Sequence, residues 1–397
     1  MRRAPNSSSG FTLLELLISA AIGAVMICAA TKLYTYALQA TALTQQKAEL
    51  QQDFRAAANL LQRDISMAGA GSLGQQGIAA NAVGLPVSGT PPVYPCYGLT
   101  TCNYIKGAPV AYPTSAGVPD LYSIIPGPSL GITVYGPQGP TDIITVVAAD
   151  TSLALNCYDA WIDATGTVIT FRLPTTVLST CVLPATVLTP QPLNAAVIGL
   201  QAGDLIAFGT KAIGVVTSAV SSCALTTGYS ACYTVDFAAT DPGHVNQPSA
   251  GTGSLSQFIG PGSPPPASTS ITVSAVRLLA VTYYLDISPF DGVTPRLMRI
   301  QNGRQPAPVA ENVAYLKFTY DVNNGGSIYA NQATLPAGTT PAMITKVNIA
   351  HMSMRSQEIV TGGYKGMGGY QGLDLQTSIS ARNLTSQQEY PITGSSY

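Results

Sequence analysis

Glu15 is the one ionisable carboxylate in an apolar run from Gly10 to Ala30, GFTLLELLISAAIGAVMICAA. A carboxylate near the start of such a segment is costly to insert into a membrane, so its placement points to function. Gly10 stands directly before the run. An ordinary secretory signal puts its small cleavage-site residue after a shorter apolar region, so a cut at Gly10 would leave the hydrophobic segment on the mature chain. The other reactive side chains are seven cysteines and two histidines. Cys28 lies inside the apolar run and reads as a small residue without chemistry. The rest form close sequence neighbours, Cys96 with Cys102, Cys157 with Cys181 and Cys223 with Cys232. An even set in an exported domain favours disulfides, although six cysteines permit fifteen connectivities and proximity is only a guide. Metal binding is the competing reading, and it is disfavoured because no CxxC pair occurs and His244 and His351 are isolated. No GxSxG elbow, P-loop, HExxH helix or GxGxxG turn after a strand is present, so no catalytic residue is assigned and no cofactor is expected. Asp321, Asn323 and Gly325 in DVNNGG look like the start of a calcium loop. The closing glutamate is missing, which favours a hairpin turn.

The GFTLLE arrangement resembles the prepilin signature of type IV pilins and type II secretion pseudopilins. That resemblance implies cleavage after Gly10 by a prepilin peptidase, N-methylation of the new terminus at Phe11, and a role for Glu15 in subunit assembly. The freed ammonium of one subunit would neutralise Glu15 of its neighbour where little water competes. The chain itself offers Glu15 no evident partner, so the carboxylate is expected to act in assembly and to have little part in folding. The plain alternative is a signal anchor with an accidental Gly-Phe and a stray glutamate.

These residues are positioned by one long element. From Phe11 to Thr31 the chain supplies about 20 mostly apolar residues, enough for a helix across a ~30 Å hydrocarbon core. The leader MRRAPNSSSG carries Arg2 and Arg3 and no acid, which places it in the cytoplasm and the rest of the chain outside. No proline occurs between Pro5 and Pro86, so the helix is expected to continue to about Ala68 and to stop at Gly69 and Gly71. Leu43, Leu50, Phe54, Ala57, Leu61 and Ile65 recur at helical spacing on one face. That face needs a partner, which at its C-terminal half is expected to be the chain's own β domain; nearer the membrane the pilin resemblance implies packing against other subunits.

Only 9% of residues are charged and the net charge is -1, so no polyanion partner such as nucleic acid is expected. Residues 72–140 are rich in Gly and Pro and read as loops with a few short strands. Strand-like runs follow at 142–150, 167–173 and 203–220. The stretch 248–269 reads as a linker because its Pro, Gly and Ser content disfavours a packed element. Beyond it VRLLAVTYYLDIS, PRLMRIQNGR, NVAYLKFTYDV, ITKVNIAHMSMRS and LDLQTSISARNL read as strands of one antiparallel sheet covered by the long helix.

The expected organisation is a leader at 1–10, a membrane segment at 11–31 and an extended helix at 32–68. A loop-rich and β-rich region follows at 69–248, then the linker at 249–269 and a pilin-like β-sheet domain at 270–397. The fold class is α+β, with the N-terminal membrane helix packed on a mainly antiparallel β domain. LLQRDISMAG at the helix end, the tyrosine-rich strand, a hairpin near Asn302-Gly303 and a final strand before Arg382-Asn383-Leu384 are similar to PilW-like minor pilins. The resemblance implies a low-copy filament subunit supporting initiation of assembly or adhesion. Its partners would be the prepilin peptidase, major and minor pilins, the inner-membrane assembly platform and, before assembly, the lipid bilayer. A type II secretion pseudopilin and a membrane-anchored adhesin that never polymerises are the other readings.

Overall fold

The structure is a computed structural model. It describes residues 12–70, 82–84, 93–94, 110–111, 114–115, 118–134, 138–150, 152–179, 181, 183, 189–241, 243–247, 253–259, 268–287, 294–302, 304–359 and 370–381. The chain divides into two compact units, Met1–Gln52 with Ser356–Gln371, and Asp53–Arg355 with Gly372–Tyr397.

In the first unit the dominant element is most of helix α1, which runs from Leu13 to Ser66 over 54 residues. Its most apolar window has mean hydropathy 2.3 and none of that window is buried, so the helix is long and apolar enough to cross a membrane. Leu13, Leu14, Leu16, Val25, Met26 and Ile27 are all well exposed. The hydroxyls in the run are satisfied within the helix: Ser19 donates to the Leu16 carbonyl, Thr31 to those of Ile27 and Cys28, and Thr35 to that of Lys32. Such back-bonding lets Ser and Thr sit in hydrocarbon without an orphaned donor.

The second unit begins with the last turns of α1. Ala57, Leu61 and Ile65, at four-residue steps, are fully buried, as their spacing predicts. The helix ends at Ser66, and Gly69 takes a positive φ of 68°, the left-handed cap that glycine adopts without a Cβ penalty. Gly71 lies outside the described residues. The Gly69 N–H donates to the Val147 carbonyl at 2.9 Å and the Ala149 N–H to the Ala70 carbonyl at 2.8 Å. The chain leaving the helix is thereby fixed to a strand.

Strands follow in the order β1 (Ala82–Gly84), β2 (Val93–Tyr94), β3 (Val110–Ala111), β4 (Thr114–Ser115), β5 (Val118–Tyr122), β6 (Ile124–Gly127) and β7 (Ile143–Asp150). Next come β8 (Asp159–Asp163), β9 (Val168–Pro174), β10 (Leu205–Phe208), β11 (Ala212–Val215), β12 (Ser221–Ser222), β13 (Tyr229–Asp236) and β14 (Ser268–Ile271). The last are β15 (Ala275–Asp286), β16 (Arg296–Gln301), β17 (Ala307–Glu311), β18 (Val313–Asn324), β19 (Ser327–Gln332), β20 (Ile344–Ile359) and β21 (Tyr370–Ser380). Helix first and antiparallel sheets after make the α+β layout that the sequence predicts.

Two expectations change. The five C-terminal strands do not form one sheet: β15 and β16 belong to a seven-stranded sheet with β6, β7, β10, β11 and β17, whereas β18, β20 and β21 join β19 in a four-stranded one. The reason lies in burial. Nearly every residue of β15 is buried, and it pairs with β7 along one edge and with β10 and then β16 along the other. β18 instead alternates buried and half-buried residues, the pattern of a strand with one wet face.

The second change concerns 249–269, read as a linker that separates two regions. Within it a short 3-10 turn, Leu255–Phe258, buries Leu255 in a core with Phe171, Phe208 and Phe237. Ser268–Ile271, at its end, pairs with β8. Two apolar residues, Leu255 and Phe258, are enough to seat a turn that a Gly/Pro/Ser count discounts.

A five-stranded sheet, β12-β13-β9-β8-β14, carries that aromatic core on its inner face. DVNNGG forms the β18–β19 hairpin, with Gly325 and Gly326 at φ of 60° and 98°. Asp321 spends its Oδ1 on the Asn331 N–H and the Asn348 amide, both 2.9 Å away.

Candidate functional site

α1 opens with a reciprocal pair. Thr12 Oγ1 accepts from the Glu15 N–H at 3.3 Å, while Glu15 Oε2 accepts from the Thr12 N–H at 3.1 Å and from its hydroxyl at 3.2 Å. This is a capping box, in which an N-cap hydroxyl and the acid three residues on satisfy each other's backbone donors. Glu15 therefore has a partner in its own chain, which corrects the expectation that it has none. Its side chain is nonetheless exposed, and both bonds it accepts from Thr12 fall on Oε2, which leaves Oε1 for a cation. A negative charge in the first turn is also favoured by the helix dipole. Gly10 and Phe11, the expected cleavage and methylation positions, lie outside the described residues.

Of the expected cysteine pairs, Cys157–Cys181 and Cys223–Cys232 are bonded, at sequence separations of 24 and 9. Cys96 and Cys102 lie outside the described residues. Cys28 is free and exposed on the apolar helix. The first bridge anchors the connection after β9 to the aromatic core, where Cys157 is buried. The second closes the β12–β13 hairpin.

Among the described residues four buried carboxylates, Asp64, Asp142, Asp204 and Asp241, were not singled out in the sequence, and the first three tie distant elements together. Asp64, near the end of α1, accepts from the Tyr283 hydroxyl at 2.7 Å and from Arg299 Nε at 2.8 Å, and Arg63 reaches its other oxygen at 3.1 Å. Burial holds the Tyr283 phenol well above its ordinary pKa, and the hydrogen bond it donates to Asp64 adds to this. Burial works against the Arg299 charge, but bonding to Asp64 outweighs it and the guanidinium is raised. Asp204, fully buried, receives Gln201 N–H at 3.0 Å, Asn302 Nδ2 at 2.9 Å and Arg304 at 3.2 Å, with Arg277 at 3.4 Å. Arg277 in turn grips Asp150. Burial opposes ionisation of Asp150, yet Ser152 and Arg277 together hold its carboxyl below the usual range. Asp142 binds Lys317 at 2.7 Å and the Phe318 N–H at 2.9 Å, joining the seven-stranded to the four-stranded sheet. One signal was available: LLQRDISMAG carries Arg63 and Asp64, VTYYLD carries Tyr283 and PRLMRIQ carries Arg299.

Residues 5–31 match the family model of the prokaryotic N-terminal methylation motif. No curated protein and no solved structure matches the chain. With the exposed apolar helix, the motif supports a type IV pilin- or pseudopilin-like protein. It implies processing by a prepilin peptidase, assembly of the pilin kind and anchoring in a membrane.

Proposed function

We propose that this chain is a minor pilin of a type IV pilus, of the PilW-like kind. It is a structural subunit without a catalytic role, stored in the inner membrane with its leader cytoplasmic and its β region outside, and then drawn into the extracellular filament. There it supports initiation of assembly or adhesion. The observation that carries this reading is the methylation motif at 5–31 running directly into a 54-residue helix. The first part of that helix holds its large side chains exposed, with a capped acid at its start. A lone anchor needs neither the acid nor so long a helix, whereas packing between helices of many subunits uses both.

The test is mass spectrometry on filaments sheared from cells. The expected result is a chain beginning at N-methylated Phe11, at low abundance beside a major subunit. Assembled material with Met1 intact would overturn the processing step. A processed chain found only in secretion-system preparations would favour a pseudopilin, and one at the cell surface but never in filaments would favour an anchored adhesin.

A further inference from the structure

Outside α1, four strongly exposed apolar side chains lie on three loops of the second unit, with Val177 and Leu225 on the two loops that meet at Thr175 and Gly228. Val177, Val197, Ile198 and Leu225 are 78%, 81%, 44% and 62% exposed. Hydrogen bonds tie the loops together: Thr175 N–H donates to the Gly228 carbonyl at 2.9 Å, and Asn194 Nδ2 to Ser222 Oγ at 3.2 Å. Cys223–Cys232 closes the hairpin that carries Leu225. No charged residue occurs between Arg172 and Asp204, nor between Lys211 and Asp236. An exposed, uncharged apolar tip is costly in water and marks a contact surface.

What lies beneath the tip indicates the partner. On the outer face of the five-stranded sheet the Arg172 guanidinium sits 5.5 Å from the Trp161 ring centroid and 5.8 Å from that of Tyr229. Trp161 and Arg172 alternate with Ala160, Ile162 and Phe171, which point into the core. Tyr229 donates to Asp159 at 3.2 Å, and Asp159 is the register partner of Arg172, so the band is neutral overall. Arg172 is two residues short of the end of β9, about 7 Å by strand rise. Aliphatic residues at the tip and a Trp-Tyr-Arg band one step below reproduce the layering of a bilayer interface. There apolar side chains enter ~5–10 Å and amphipathic ones stay with the headgroups. The tip's backbone suits shallow entry, because the N–H groups of Thr175, Cys223 and Tyr229 are already bonded to carbonyls of Gly228, Cys232 and Thr226.

We propose that this tip docks on the surface of an uncharged or zwitterionic lipid bilayer. The idea goes beyond the filament reading and does not depend on it. Neutrality of the patch predicts binding that needs neither anionic lipid nor low salt.

Trp161 is the chain's single tryptophan, which supplies the readout. Full-length protein is kept soluble in an amphipathic polymer that covers its own helix, and vesicles of brominated phosphatidylcholine are titrated in. Docking brings bromine to the band and quenches Trp161 emission, at high salt as well as low. V177D/L225D, with disulfides mapped and unquenched emission matching wild type, should raise the half-quenching lipid concentration at least about tenfold. V177S/L225S carries the test if the aspartates disturb folding. Absence of quenching, equal quenching in the variants, or quenching that appears only with anionic lipid and disappears in salt would overturn the proposal.

Discussion

Glu15 has two separable roles, and chemistry distinguishes them. As the acid of a capping box it needs only an oxygen acceptor, which glutamine also provides; as the partner of a neighbouring ammonium it needs charge. Glu15→Gln should therefore leave the helix start intact but lower incorporation into filaments as far as Glu15→Ala does. Thr12→Ala removes the cap hydroxyl and keeps the charge, so it should cost about 1 kcal/mol locally and leave incorporation close to wild type. The abundance of each variant in sheared filaments, relative to its amount in the membrane, measures this. Incorporation that survives in Glu15→Gln and fails in Thr12→Ala would assign the residue to the cap. Glu15 was legible because a carboxylate in an apolar run stands out. Its bond to Thr12 is also legible, as Thr-x-x-Glu ahead of a helix. Asp64, Asp204 and Asp142 were not legible, since the distant partners that tie them across the fold, from Arg277 on Asp204 to Arg299 on Asp64, lie 73 to 235 residues away and an acid in a linear text carries no mark of burial.

Among elements, the junction between the end of α1 and the seven-stranded sheet depends on one carboxylate. Leu61 and Ile65 supply the apolar contact, while Asp64 satisfies Tyr283 of β15 and Arg299 of β16 together. Removing the acid leaves a buried phenol and a largely buried guanidinium without their partner. Asp64→Ala should therefore cost about 3 kcal/mol, more than a typical surface change. Urea unfolding of the full chain in detergent, followed by Trp161 emission, reads the loss; a midpoint equal to wild type would contradict it. Buried phenols, Tyr283 of this junction among them, also set a pH limit. Tyr158, Tyr283 and Tyr284 are all held above the ordinary 10.0, first by burial. Below that value each phenol is neutral in both states. Above it the unfolded chain releases protons that the folded chain retains, so stability falls as pH rises past about 10. Tyrosinate absorbance should then show three phenols appearing only together with loss of the fold, and their titration in the native protein would refute the assignment. Helix, stop and hairpin turns could be read from spacing and from Gly and Asn. Sheet membership could not, because strand partners are chosen by which faces must be covered.

At the scale of the whole molecule, the stretch 249–269 was the natural place to divide the chain, and pairing crosses it. β7 and β10 precede it, β15 follows it, and β15 holds both, by register from Leu205↔Leu278 to Thr145↔Thr282. β14 returns to β8, and Asp142 reaches forward to Lys317 and Phe318. Each half therefore supplies strands whose ladder hydrogen bonds and apolar faces are completed by the other, so neither can close a core alone. A protease site engineered between Gly260 and Ser268, which in the sequence falls between the Leu255–Phe258 turn and β14, makes this measurable. After cleavage of the detergent-solubilised full chain, the fragments should co-elute on size exclusion under native conditions and retain wild-type Trp161 emission. They should separate only in denaturant, because neither bonded cysteine pair spans the cut. Urea unfolding of the uncut chain should likewise show one transition for the β region, with Trp161 emission and near-ultraviolet tyrosine signals coincident. Two fragments that part without denaturant, each keeping a cooperative transition of its own, would establish separate domains and refute the shared sheet.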